Sequence, residues 1–137
     1  MKESIEAWRH VWRVGFAPQL STAALEAVRD GLVNDDPAML QGRTTEPPPL
    51  ACVRDFPACG ACLVGYAGWK AENLATVGEV EEFFARTCFV ADERLQESAG
   101  CRFFLNWFDE TPRGEVIAAL LPEVERSLAT RSAVASG

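Results

Sequence analysis

The sequence predicts an all-α fold: a small bundle of four to five helices with a long ordered Pro/Gly-rich loop at about residues 41–75. Three observations predict it. Apolar residues recur at helical spacing on both sides of the chain's middle. The middle loses that periodicity and carries prolines at 47–49 and glycines at 60, 65 and 68. No convincing segment alternates apolar and polar residues as a half-buried strand does, although "ACLVGY" can form one short extended piece.

Each element has its own signal. Ile5, Trp8, Trp12 and Phe16 share one face of a first helix, which Gly15 and Pro18 bring to an end. Ser21 or Thr22 offers an N-cap to a second helix with the stripe Leu25, Val28 and Leu32, limited by Gly31 and the turn-prone "NDDP" at 34–37. Asp36-Pro37 opens one further short turn through Met39 and Leu40. Three consecutive prolines then favour extended backbone. The loop's Leu50, Val53, Phe56, Leu63, Val64, Tyr66 and Trp69 give it apolar area to pack over the helices.

The second half is plainer. Thr76 with Glu79 three residues on is a capping box, and Val77, Val80, Phe84, Cys88, Ala91 and Leu95 form one continuous stripe behind it. Ser98 restarts a helix carrying Cys101, Phe104, Leu105 and Phe108. Phe103 and Trp107 on its opposite face make that helix apolar nearly all round, which predicts a central, enclosed position. Asn106, if buried there, needs hydrogen-bond partners. Thr111-Pro112 caps a last helix with Val116, Ile117, Leu120, Leu121, Val124 and Leu128. Pro122 predicts a kink or restart in it, and residues 131–137 a frayed tail.

At 137 residues, 48% of them hydrophobic, the chain fits a single domain over 1–137 whose core needs no cross-links. Net charge is −7, with 6 basic and 8 acidic residues in 1–68 against 7 and 12 in 69–137. No Lys/Arg cluster is present to neutralise phosphates, which argues against nucleic acid as a partner. No apolar run is long enough to cross a membrane, and the N-terminus lacks the apolar stretch of a secretory signal. With an odd count of five cysteines, the expected location is the cytoplasm, where thiols stay reduced.

Three of those cysteines, Cys52, Cys59 and Cys62, fall within "ACVRDFPACGAC". A structural zinc needs four ligands, and this cluster supplies three. Cys88 and Cys101 lie on apolar stripes and read as small core hydrophobes, and His10, the one histidine, as a surface or boundary residue. The spacing resembles the iron–sulfur loop of endonuclease III-type DNA glycosylases, but Gly68 stands where that loop has its fourth cysteine. "DFPACGAC" resembles the active-site phrase of thioredoxin-like proteins, whose fold requires flanking strands and a facing cis-proline. The next proline here is Pro112, in a helix cap. Neither resemblance reaches beyond its own stretch, and neither assigns a family.

Other chemistry is excluded by residue type and spacing. No phosphate-binding glycine loop or dinucleotide fingerprint is present, and no nucleophile elbow accompanies the single histidine. Asp109 and Glu110 are adjacent, so on a helix they diverge by about 100°. Glu79, Glu81, Glu82 and Glu93 lack the two histidines of a di-metal carboxylate bundle. The sequence therefore leans away from an enzyme. It points to a small cytosolic helical adaptor or regulator that contacts another protein or itself, as a homodimer, and uses no cofactor. The contact residues expected are Pro47, Pro48, Pro49, Trp69 and Trp107. The alternative is a metal-binding (zinc) or redox-switch site at Cys52, Cys59 and Cys62.

Overall fold

The computed structural model describes the backbone of residues 6–48 and 50–136, and side chains through Ala133. The fold is mostly helical with one small two-stranded sheet. In order the elements are α1 (Ala7–His10), continued by a π-wound turn (Val11–Phe16) and a 3-10 turn (Ala17–Gln19); α2 (Thr22–Val33); β1 (Thr45–Glu46); a 3-10 turn (Ala51–Val53); β2 (Gly60–Ala61); α3 (Leu63–Ala71); α4 (Val77–Leu95); α5 (Arg102–Glu110); and α6 (Arg113–Ser136). No helix among the described residues is long and apolar enough to cross a membrane.

The first helical stretch passes through Gly15 without ending there, because that glycine is a packing contact. A Cβ on Gly15 would meet the Ala91 Cβ at 3.1 Å, so its absence lets this stretch lie close on α4. Two hydrogen bonds between residues far apart in sequence fasten the approach. Gln19 Nε2 donates to the Thr87 carbonyl at 2.8 Å, and Arg94 Nε donates to the Val14 carbonyl at 2.8 Å. Val11, Trp12 and Phe16 are fully buried in consequence.

Ser21 caps α2, its hydroxyl accepting from the Ala24 N–H at 3.0 Å. Thr76 and Glu79 form the reciprocal capping box of α4, as their spacing predicts. On α6, Val116, Leu120 and Val124 are fully buried at a spacing of four. The helix runs unbroken through Pro122, which lies on the exposed side one turn after exposed Ala118. There the carbonyl that proline leaves without its helical donor can be hydrated. The described helix continues to Ser136, and Gly137, the last residue of the tail expected to fray, lies outside the described residues.

The predicted loop at 41–75 is corrected in the same way. Its last third is the helix α3, hidden in the sequence by glycines that serve packing. A Cβ on Gly68 would lie 2.5 Å from the Phe83 ring, and one on Gly65 would lie 3.0 Å from Val80 Cγ1. Leu63, Val64 and Tyr66 are buried between α2 and α4. The short extended piece also exists. Thr45 pairs with Ala61 and Glu46 with Gly60 in antiparallel register, and Ala61 bridges to Met39 on its other side.

The core is centred on Phe104 of α5, whose ring has Phe16 at 5.2 Å, Trp12 at 5.8 Å, Trp107 at 5.9 Å, Phe108 at 6.3 Å and Trp8 at 6.5 Å. α5 is nonetheless not enclosed. Arg102, Asn106, Asp109 and Glu110 are exposed, so Asn106 meets solvent and needs no buried partner.

Candidate functional site

The cysteine cluster does not converge. Cys52 and Cys59 are exposed on the loop, whereas Cys62 is buried at the N-cap of α3. Among the described residues no group of three or more His, Cys, Asp or Glu side chains is placed to hold a metal ion. Burial pushes the Cys62 thiol up to about 12, against the opposing pull of backbone N–H groups at the start of α3. Cys62 is thus a protonated, inert thiol near neutral pH. Cys88 and Cys101 meet each other instead: a mutual hydrogen bond and burial raise the Cys88 thiol well above its ordinary value. His10 is exposed, as its position on the first helix suggests.

The two tryptophans expected to offer contact surface are already engaged. Trp107 stacks on Trp8 with ring centres 3.8 Å apart and planes 5° from parallel. Trp69 meets the Tyr66 ring edge-on at 6.1 Å and carries Lys70 Nζ 4.0 Å above its own ring. Both are half-buried and pack against the core. Tyr66 in turn donates to Asp36 Oδ2 at 2.7 Å.

The loop from Glu46 to Cys59 is the part that faces outward. Its ends are tied down by backbone hydrogen bonds. Cys59 N–H donates to the Glu46 carbonyl at 2.7 Å, Val77 N–H to Phe56 at 2.9 Å, and Gly78 N–H to Arg54 at 2.9 Å. Thr45, fully buried, donates through its hydroxyl to the Pro47 carbonyl at 2.8 Å. From this clamped backbone Leu50 and Phe56 project with 60% and 53% of their surface exposed. The expectation that both cover the core is therefore wrong; the loop uses its backbone, not these side chains, to hold to the body. Pro47 is half-buried and Pro48 exposed beside them, and Pro49 lies outside the described residues. Ion pairs border the projection, Arg43 with Glu46 at 3.1 Å and Arg54 with Glu81 at 3.7 Å.

A second feature carries no sequence motif. Between the 3-10 turn Ala17–Gln19 and α6 lies a cavity of about 330 Å³, lined by Arg13, Ala17, Pro18, Glu123, Arg126, Ser127, Thr130 and Arg131. At its base the Arg13 guanidinium grips Glu123 with both arms, Nε to Oε1 and Nη2 to Oε2, each 2.8 Å. Arg9 Nε adds a third contact to Glu123 Oε2 at 3.1 Å, and also pairs with Glu6. Hydrogen bonding from Arg13 is the main reason the Glu123 carboxyl lies below its ordinary value, so it is ionised at neutral pH.

Arg131 is fixed on the other wall, donating to the Ala17 carbonyl at 2.8 Å and to Thr22 Oγ1 at 3.4 Å. Ser127 accepts from Trp12 Nε1 at 3.3 Å and donates to the Glu123 carbonyl at 3.0 Å. Sequence reading missed this site because its halves are 110 residues apart and neither is unusual alone. The available signal was faint: four arginines at the two ends of an acidic chain. Comparison of the chain with protein-family models, with curated proteins and with solved structures found no match.

Proposed function

We propose that this chain is a helical binding module that acts through contact with another protein, and that the clamped projection from Glu46 to Cys59 is its contact surface. The observation that carries the reading is the pair Leu50 and Phe56, more than half exposed on backbone hydrogen-bonded to the body at both ends. Apolar groups held out on a fixed backbone lose little conformational freedom on docking, so more of their burial appears as affinity. The arrangement also has the usual layout of a small interface, apolar at the centre with charged pairs at the rim. Pro47 and Pro48 belong to this surface; Trp69 and Trp107 do not. Exposed free thiols at Cys52 and Cys59 fit a reducing compartment such as the cytoplasm.

The test is a comparison of wild-type chain with Leu50→Glu and Phe56→Glu, each immobilised and exposed to extract, with retained proteins quantified. Burying the exposed part of either side chain is worth about 1–2 kcal/mol, so each variant is expected to lose its partner about tenfold. Sedimentation of the same three proteins over a range of concentrations identifies the partner as a second copy if the variants alone are monomeric. Retained proteins and sedimentation behaviour that are both identical across the three refute the reading.

A further inference from the structure

We infer that the cleft between the 3-10 turn Ala17–Gln19 and α6 is a binding site for a small organic phosphate monoester, held by Arg13, Arg126 and Arg131. This rests on different residues from the loop surface and stands or falls separately from it.

Charge is the first ground. The chain carries a net charge of −7, yet among the described residues the cleft sets three guanidiniums against one carboxylate, a local excess of two positive charges. A phosphate monoester near neutral pH carries close to two negative charges, and a simple carboxylate only one.

Preorganisation is the second. Glu123 fixes Arg13 in a two-armed grip, and the Ala17 carbonyl with Thr22 Oγ1 fixes Arg131, so two of the three cations are placed before any ligand arrives. Arg126 differs from both: among the described residues its guanidinium has no hydrogen-bond or ion-pair partner, and it lines the same cavity, exposed to solvent. A guanidinium presents several N–H donors in a planar fork, which suits the oxygens of a phosphate group. The hydroxyls of Ser127 and Thr130 lie on the same wall.

Size and lining supply the third. A cavity of about 330 Å³ is at the small end of ligand sites but larger than a phosphate group needs. Ala17, Pro18 and the aliphatic stems of the arginines leave an apolar flank for the ester's organic part.

The experiment follows backbone amide and arginine Nε–H resonances of the full chain at low ionic strength, titrated with inorganic phosphate, phenyl phosphate and acetate. Both phosphates are expected to shift Arg13, Ser127, Thr130 and Arg131 saturably and more strongly than acetate, with phenyl phosphate the tighter of the two. R126Q removes a cation without breaking a contact among the described residues, so it keeps the fold and weakens both phosphates about tenfold. R86Q, at an exposed position of α4, changes net charge equally outside the cleft and leaves the affinities unchanged. Shifts that follow ionic strength alike for all three anions, or that survive R126Q undiminished, overturn the site. Equal affinities for the two phosphates overturn the organic ester in favour of free phosphate.

Discussion

Replacing Glu123 with glutamine removes one charge from the contact that joins the two ends of the chain. In the native protein Glu123 is 8% exposed, accepts two charge-assisted hydrogen bonds from Arg13 and forms an ion pair with Arg9. A fully buried pair that loses one partner is destabilised by about 3–5 kcal/mol. Here the cations are not buried: the Arg13 side chain is 43% exposed and the Arg9 side chain 32%, so both turn to water when the carboxylate is gone. Solvent screening reduces the expected loss to about 1–2 kcal/mol. The assay is urea unfolding of wild type and Glu123→Gln at about pH 7 and again at about pH 2–3.

The pH arm gives the sign. The folded-state pKa of Glu123 is depressed below 4.5, so its contribution is fully present above the unfolded value. It is lost as pH falls through the folded one. The difference between wild type and variant must therefore shrink in acid. Asp36 and Glu79 are depressed as well, the first by the Ala38 N–H and the second by the Thr76 N–H, but both are common to the two proteins and cancel. Equal midpoints at neutral pH, or a gap that does not narrow in acid, would refute the reasoning.

Two further outcomes follow from packing and burial. Gly68→Ala brings a Cβ to 2.5 Å from the Phe83 ring, and the overpacking of about 1–3 kcal/mol exceeds the helix-propensity gain of about 1 kcal/mol, so thermal unfolding is expected to drop by several degrees; an unchanged or raised midpoint contradicts the α3–α4 contact. With a thiol reagent on native protein, the two exposed cysteines, Cys52 and Cys59, are expected to react rapidly and Cys62 to stay silent until denaturation; a fast phase that survives Cys52→Ser with Cys59→Ser contradicts that assignment.

Much of the helical frame could be read from local signals, because capping and periodicity act over a few residues. The Thr76–Glu79 box and the Val116, Leu120, Val124 spacing each specify their element without help from the rest of the chain. α3 could not be read, because Gly65 and Gly68 weaken a helix locally and earn their place only against Val80 and Phe83 of α4. The same holds for α5: Trp107 looks like spare aromatic surface until Trp8 is placed on it. The cysteines mislead for the opposite reason. Proximity in sequence suggests one site, but the chain turns at β2 and sends Cys62 inward while Cys52 and Cys59 stay out.

The arginine cleft extends this to function. Arg13 and Glu123 are ordinary surface-pattern residues of two amphipathic helices, and their meeting depends on how those helices cross. Once formed, the pair serves two ends that pull apart. Glu123 holds Arg13 in place, which a ligand needs, yet its charge cancels one of the cations that would attract that ligand. Arg126 and Arg131 resolve the conflict by adding two cations on the next turns of α6, one of them tied to Ala17 and the other in no hydrogen bond or ion pair among the described residues, its charge only favouring ionised Glu123 through space. The anion preference then depends on Arg126, while the stability depends on Glu123. Glu123→Gln should therefore lower the unfolding midpoint, whereas Arg126→Gln should leave it nearly in place and weaken phosphate binding; a purely structural salt-bridge network gives the first effect but no loss of phosphate binding.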